Sequence, residues 1–232
     1  MTEKQANSDD WLQLRQRMVE NQIRNRGVND QRVLEAMRRI PRERFVPVES
    51  RSAAYADRAV YVGQGQTISQ PYIVAYMSQK LNPTPDCRVL EVGTGTGYQT
   101  AILALLCKHV YTIERISSLQ RNARKVLAQL EINNVSMFVG DGTIGLEEQA
   151  PFDRILVTAA GPKIPQALIE QLEHGGRLVI PVGGKSEQRI VAVTRKGPQV
   201  TETPLLPCRF VRLVGQEGWA PNQEEKQDQK TE

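Results

Sequence analysis

Val89-Leu90-Glu91-Val92-Gly93-Thr94-Gly95-Thr96-Gly97-Tyr98 decides the fold of this 232-residue chain. An apolar run ends on an acid, a glycine-rich turn follows, and Tyr98-Gln99-Thr100 opens a helical pattern. The segment reads as a buried strand, a tight turn and a helix N-terminus. Glycines at 93, 95 and 97 let the backbone approach a ligand that side chains would exclude. A dinucleotide fingerprint needs its third glycine at position 98, where this chain has Tyr98. The register that cradles a pyrophosphate is therefore missing.

Working outward, strand and helix patterns alternate from Pro85 onward. Strands are expected at Arg88–Val92, His109–Ile113, Val135–Val139, Arg154–Val157 and Arg177–Pro181. Helices are expected at Tyr98–Leu106, Ser117–Leu130 and Pro165–Leu172. Such alternation predicts an α/β fold, a doubly wound and mostly parallel sheet with helices on both faces. Arg189–Thr194 and Phe210–Val214 read as further strands at the far edge, in part antiparallel. The N-terminal section lacks this alternation. Leu14, Met18 and Ile23 recur at near-helical spacing, so a helix runs from Trp11 to about Arg26 and closes at Gly27. Asn29 is placed to cap a second helix that Pro41 stops. Tyr55–Ser69 reads as loop, with Gly63 and Gly65 as flexible points, and Pro71 begins a helix through Val74, Met77 and Leu81. The expected organisation is a flexible start (1–10), a helical appendage with an active-site loop (11–84), an α/β core (85–215) and a flexible tail (216–232).

Composition narrows the function classes. Thirty basic against 26 acidic residues give a net charge of +4, with a pI near 9.0. The basic residues are dispersed, Arg38-Arg39 with Arg42 and Arg44 being the one local cluster, and they read as a solvated surface. Apolar residues make up 40% of the chain, enough for a sizeable core. Met1-Thr2-Glu3-Lys4-Gln5 carries no apolar segment of a secretory signal, and the longest apolar run, Ala101–Cys107, is too short to span a bilayer. Cys87, Cys107 and Cys208 form no C-x-x-C pair, which fits reduced thiols in a cytoplasmic protein. His109 and His174 are the only histidines, so no metal site is expected.

In a doubly wound sheet, ligands sit beyond the carboxyl ends of the strands where the order reverses. The residues following these strands are polar and small: Glu91 and Gly93, Glu114, Asp141-Gly142, and Thr158-Ala159-Ala160-Gly161. An acid followed by G-x-G-x-G is the pattern seen where S-adenosylmethionine binds, and glycine-rich βα turns also occur for packing alone. Glu114 lies 17 positions after Gly97, where a carboxylate accepts both hydroxyls of a ribose; otherwise it is a surface acid facing Arg115 or Arg121. Asp141 suits an exocyclic amine such as adenine N6, with Gly142 admitting the ring, or it is a simple Asp-Gly turn. Glu91 either receives the methionine ammonium or holds the loop. Asp153 reads as structural.

The chain resembles the class I S-adenosylmethionine-dependent methyltransferases, and within them the protein-L-isoaspartate O-methyltransferase family. The resemblance rests on Gly63-Gln64-Gly65-Gln66-Thr67-Ile68-Ser69-Gln70-Pro71, on Glu91 through Ala101, and on Val139-Gly140-Asp141-Gly142. Pro151-Phe152-Asp153, Gly175 through Gly183, and Ile40-Pro41-Arg42-Glu43-Arg44-Phe45-Val46-Pro47 also match, so most of the chain from Met18 to Val214 is covered in order. What the resemblance implies is methyl transfer from S-adenosylmethionine to the free carboxylate of isoaspartyl residues in damaged proteins. It implies Ser69 as the active-site serine. Thr67, Ile68, Glu91, Gly93, Gly95, Glu114, Asp141 and Gly142 follow as cofactor neighbours. Some relatives have His where this chain has Tyr72, and a Thr where it has Val214, so those roles are not carried over. The resemblance also implies that the last two strands are ordered differently from those of most methyltransferases. Expected partners are isoaspartyl proteins and peptides, not nucleic acid or membrane, and the expected state is a cytoplasmic monomer.

The residues themselves fit that chemistry. A carboxylate acceptor, with a pKa near ~4, is ionised at neutral pH. The poverty in histidine then argues against base-requiring hydrolysis, and Ser69 lacks the G-x-S-x-G elbow of a hydrolase nucleophile. The alternatives are methylation of another acceptor such as RNA, and a non-catalytic protein using the same scaffold.

Overall fold

The computed structural model describes residues 8–184 and 186–221. Helix α1 (Ser8–Arg17) continues without a break through a wider π segment (Met18–Ile23) and a 3₁₀ turn (Arg24–Arg26). Gly27 ends it in the left-handed region at φ 90°. Helix α2 (Gln31–Arg39) is capped by Asp30, whose side chain accepts from the Arg32 amide. The cap thus lies one residue after the expected Asn29. The amides of Asn29 and Asp30 instead both donate to Gln79 Oε1, at 2.7 and 2.8 Å. The stretch expected as loop contains an antiparallel hairpin, β1 (Val60–Gly63) and β2 (Gln66–Ile68), with Tyr61 opposite Thr67. Helix α3 (Pro71–Leu81) follows as read, with proline in its first turn.

The main sheet then builds outward and returns. Strand β3 (Arg88–Val92), helix α4 (Tyr98–Ala104), β4 (His109–Glu114), α5 (Ser117–Gln129) and β5 (Val135–Val139) run to one edge. Strand β6 (Phe152–Val157) comes back beside β3, followed by α6 (Gln166–Glu170), β7 (Leu172–Gly183), β8 (Gln188–Lys196) and β9 (Gln199–Cys208). The order is β5-β4-β3-β6-β7-β8-β9. Pairing is parallel from β5 to β7 and antiparallel across β7-β8-β9. The sheet is the doubly wound, mostly parallel one expected, and its last strands simply follow chain order. Two readings at that edge change. β9 was not foreseen, and Phe210–Val214 is no strand: its backbone meets Ala160 through an isolated bridge at Arg212.

Packing explains why the N-terminal section is not a separate unit. Met18, Ile23, Leu34 and Met37 share one core cluster with Tyr98 and Ile102 of α4. Met77 and Leu81 of α3 pack with Val89, Leu156 and Val179 on one face of the sheet. No boundary therefore falls at residue 85. On the other face, Leu90, Val92, Ile155 and Ile180 pack with Leu168 of α6. Alternate residues of β3 serve opposite faces, as the two-residue period of a strand requires. The expected loose ends differ too. Asp9 and Asp10 are helical, and 216–221 folds against the sheet, whereas 1–7 and 222–232 lie outside the described residues.

Asp153 is structural, as read. Its Oδ2 accepts from the Arg88 amide at 2.7 Å and fastens the first residue of β3 beside β6. Asp153→Ala should lower folding stability by about 1.5 kcal/mol, the worth of a hydrogen bond to a charged group. An unchanged urea midpoint would show that water replaces the carboxylate there.

Candidate active site

Because β3 and β6 are neighbours while the chain leaves them in opposite directions, a cleft opens above their carboxyl ends. The Val92–Thr96 turn, Ile113 and Glu114, Gly142, and Thr158-Ala159 form its floor and sides. Gln66–Ser69 and the start of α3 close one flank, and Phe210–Val214 closes the other.

The floor is set by close backbone contacts. Thr158 donates from its amide to Val92 O at 2.9 Å and from its hydroxyl to Gly93 O at 2.6 Å. A Cβ on Gly93 would lie 2.3 Å from that hydroxyl, and Gly93 has φ 96°, so both space and conformation demand glycine. A Cβ on Gly142 would lie 2.4 Å from Val92 Cγ1. At Gly95 an added Cβ would meet nothing within 4 Å, because that position faces the open cleft.

Glu91 lies beneath this floor with 0% exposure and is not among the cleft's wall residues. Its Oε2 accepts from Thr100 Oγ1 at 2.5 Å and Thr112 Oγ1 at 2.7 Å. Thr94 Oγ1 lies 2.6 Å from Thr112 Oγ1. Since the Thr112 proton is committed to Glu91, Thr94 is the donor of that pair. The carboxyl thus fixes both the glycine turn and the helix after it. Burial pushes it up to about 8, against the opposing effect of the two hydroxyls.

Glu114 is 7% exposed and lines the cleft. Its Oε2 accepts from the Gly95 amide at 2.8 Å and its Oε1 from the Ile116 amide at 3.0 Å. Each oxygen keeps a lone pair for a further donor.

A family model described as Protein-L-isoaspartate(D-aspartate) O-methyltransferase matches residues 13–218. The chain belongs to that family. The protein-L-isoaspartate O-methyltransferase of Syntrophus aciditrophicus (strain SB) is 53% identical over 215 residues, covering 91% of this chain and 99% of that protein. A solved protein-L-isoaspartate O-methyltransferase superposes with a TM-score of 0.77 at 28% identity, over 88% of this chain and 67% of its own. A Plasmodium falciparum protein described as a protein-L-isoaspartate O-methyltransferase, crystallised with S-adenosyl-L-homocysteine, gives 0.75 at 25% identity, over 86% and 98%.

In this family member the site residues read from sequence divide into two groups. Thr67, Ile68, Ser69, Gly93, Gly95, Glu114 and Gly142 all line the cleft. Glu91 and Asp141 are absent from its walls, and their carboxyl groups hold the loop and the Asp-Gly turn, the other reading the sequence left open for each. Asp141 Oδ1 accepts from the Thr143 amide and hydroxyl at 2.8 and 2.7 Å, and Oδ2 from the Gln216 amide at 2.7 Å. It anchors the C-terminal strap, because that segment approaches so closely that a Cβ on Gly215 would lie 2.1 Å from Oδ1. Tyr72 points elsewhere: the Arg26 guanidinium sits 3.7 Å over its ring.

Two contributors escaped the sequence reading. The strap donates and accepts along Ala160, with Ala160 N to Val211 O at 2.7 Å, Leu213 N to Ala160 O at 2.9 Å and Trp219 Nε1 to the same oxygen at 3.0 Å. Arg42, counted with the solvated surface, is fully buried. It donates to Ala54 O at 2.6 Å and to Ser69 O at 2.8 Å, with its guanidinium 4.8 Å over the Tyr98 ring. Its setting between Ile40-Pro41 and Phe45-Val46-Pro47 was the available signal. The serine's backbone is thereby tied to the N-terminal helices.

Unfolded, Glu91 loses its proton near 4.5, and folded near 8. Between these values the native state holds a proton that the unfolded state has released, so stability falls as pH rises and levels off above about 8. Glu91→Gln keeps an acceptor for both hydroxyls and removes the titration. Urea midpoints should therefore diverge in the variant's favour between about pH 5 and pH 8, by on the order of a few kcal/mol. Parallel curves would show that Glu91 does not titrate in that window.

Proposed function

We propose that this chain transfers a methyl group to the free carboxylate of L-isoaspartyl residues in damaged proteins and peptides, leaving a methyl ester and S-adenosylhomocysteine. One observation carries the reading: Ser69 opens onto the same cleft as the glycine turn and Glu114. The residues present fit S-adenosylmethionine. Glu114 has acceptor capacity left for a ribose. Val92, Ile113 and Gly142 offer a flat apolar seat for an adenine, and Gly93 and Gly95 leave room for the amino-acid end. Thr67 and Ile68 would flank it. Glu91 and Asp141 support these contacts from behind, through Thr112 and Thr143. Bound there, S-adenosylmethionine supplies a methyl group on a sulfonium, a good leaving group.

The protein's own work is then alignment. An isoaspartyl carboxylate is already ionised, so no base is needed to create the nucleophile. The cleft walls include no His or Lys among the described residues, and the two arginines that line them, Arg115 and Arg212, stay protonated and cannot serve as bases. Among those residues Ser69 Oγ has no hydrogen-bond partner, so its proton is free for an incoming carboxylate oxygen. One neutral hydroxyl orients that oxygen without quenching it, whereas an ammonium would hold the anion and weaken its attack. Ile73, Met77, Phe210 and Leu213 supply apolar wall that strips part of its water. Orientation of two bound reactants contributes on the order of 7–11 kcal/mol to lowering a barrier. The ester later closes spontaneously to a succinimide as the following backbone nitrogen displaces methanol, and hydrolysis reopens the ring in part to normal aspartate.

The same reading places the enzyme in the cytoplasm as a monomer, with a cleft mouth that admits varied protein chains. All three cysteines are free. Burial pushes Cys107 up to about 12 and Cys208 to about 11, thiols suited to staying reduced. No helix of the described residues is long and apolar enough to cross a membrane.

With methyl-labelled donor, an isoaspartyl peptide should take up base-labile label while its aspartyl twin does not. Comparable labelling of both would overturn the specificity, and base-stable label in RNA would point to a different acceptor. Ser69→Ala should lower kcat on the isoaspartyl peptide by on the order of ten- to a hundredfold, the scale of losing one donor at a reacting centre. Donor affinity should hardly change, and an unaltered kcat would remove Ser69 from the chemistry.

A further inference from the structure

Outside the cleft, on the far side of Thr67 and Ser69, lies a second recess. It is walled by Asp57-Arg58 from the turn before β1, by Pro207 near the end of β9 and by Arg209 just beyond it. Thr67 and Ser69 belong to both cavities, so the recess begins where the cleft ends. Any polypeptide that presents one residue to Ser69 from this side must run its neighbours through it. Each residue of an extended chain advances about 3.5 Å, which brings the first few flanking side chains against these walls.

The recess is electrostatically one-sided. Asp57 is already answered, by an ion pair with Arg26 at 3.0 Å and by Gln70 Nε2 donating to it at 2.8 Å. Arg58 and Arg209 are exposed and form no ion pair with any described residue. They come from segments about 150 positions apart in the chain, brought together only by the fold. Two unanswered guanidinium groups thus border the mouth beside Ser69. A guanidinium fork matches a carboxylate in shape as well as charge.

We propose that this recess is a substrate subsite, in which Arg58 and Arg209 select isoaspartyl sequences carrying an Asp or Glu close to the damaged residue. The inference rests on the function proposed above and specifies which acceptors that site prefers. The arginines do not touch the reacting carboxylate. They act on encounter and binding of the flanking chain, so their effect belongs in KM and in kcat/KM.

The test uses three isoaspartyl peptides that differ only in Glu, Gln or Lys placed two residues to either side of the isoaspartate. kcat and KM are measured for wild type and for the Arg58→Gln/Arg209→Gln double variant, at low salt and in 0.5 M NaCl (a concentration of roughly this size shortens the screening length to a few ångströms). Each exposed arginine paired with a carboxylate is worth up to about fivefold. Wild type should therefore favour the Glu over the Lys peptides by about tenfold in kcat/KM. The preference should reside in KM, shrink in high salt and vanish in the double variant. The Gln peptides should be methylated equally well by both proteins, which checks that the variant is folded. Equal use of Glu and Lys peptides by wild type, or a preference that survives in the double variant, would overturn the subsite. Failure to methylate any of the isoaspartyl peptides would instead sink the underlying function, and this inference with it.

Discussion

Glu91 accepts two hydroxyl hydrogen bonds in a layer that water does not reach, and the shape of the cleft floor follows from them. One bond comes from Thr100 on α4, the other from Thr112 on β4. Thr112 in turn receives Thr94 from the glycine turn. Turn, helix and neighbouring strand are thus referred to one carboxyl oxygen. Burying an ionisable group is expensive, and its raised proton affinity is the visible cost. What that cost secures is a turn whose main chain is held by the protein rather than by the ligand. Gly95 then offers its amide to Glu114 from a fixed position.

A second constraint acts at Ser69, the residue proposed to orient the acceptor. Ser69 sits between a short hairpin and the proline that begins α3, and its carbonyl is gripped by a buried arginine. Arg42 has no carboxylate partner among the described residues; its two hydrogen bonds go to main-chain oxygens and its plane rests over Tyr98. Tyr98 is the residue that breaks the dinucleotide register. The position that excludes one class of ligand therefore also carries the brace for the serine, linking the donor turn to the acceptor loop through a single aromatic ring.

Much of this was legible in the sequence, for physical reasons that can be named. Central strands buried on both faces read as apolar runs, as β3 and the end of β6 do, while the regular strand-helix alternation revealed β4, β7 and the half-buried edge strand β5. The glycine turn was legible because its spacing answers to demands at Gly93 and Gly97, both left-handed and both closely approached by a neighbouring side chain. Other features were hidden. β9 carries Pro204 and Pro207 with Thr201, Glu202 and Thr203 exposed, which resembles loop, yet an edge strand tolerates proline. Phe210–Val214 alternates like a strand but spends its bonds on Ala160. The identities of Glu91 and Asp141 marked them as important without revealing which way they face. An acid at a strand end suits a ligand or a neighbouring hydroxyl equally well. Only the packing of α4 and the strap decides between the two.

The strap has a consequence for how the enzyme comes into being. One side of the cleft is built from 210–214 and latched through Gln216, Glu217 and Trp219, all of which follow the last strand of the sheet. A nascent chain emerging from the ribosome can complete every strand and still lack that wall. The latch closes only after Trp219 has left the exit tunnel. Capture of the methyl donor is thereby confined to polypeptides already made as far as Trp219.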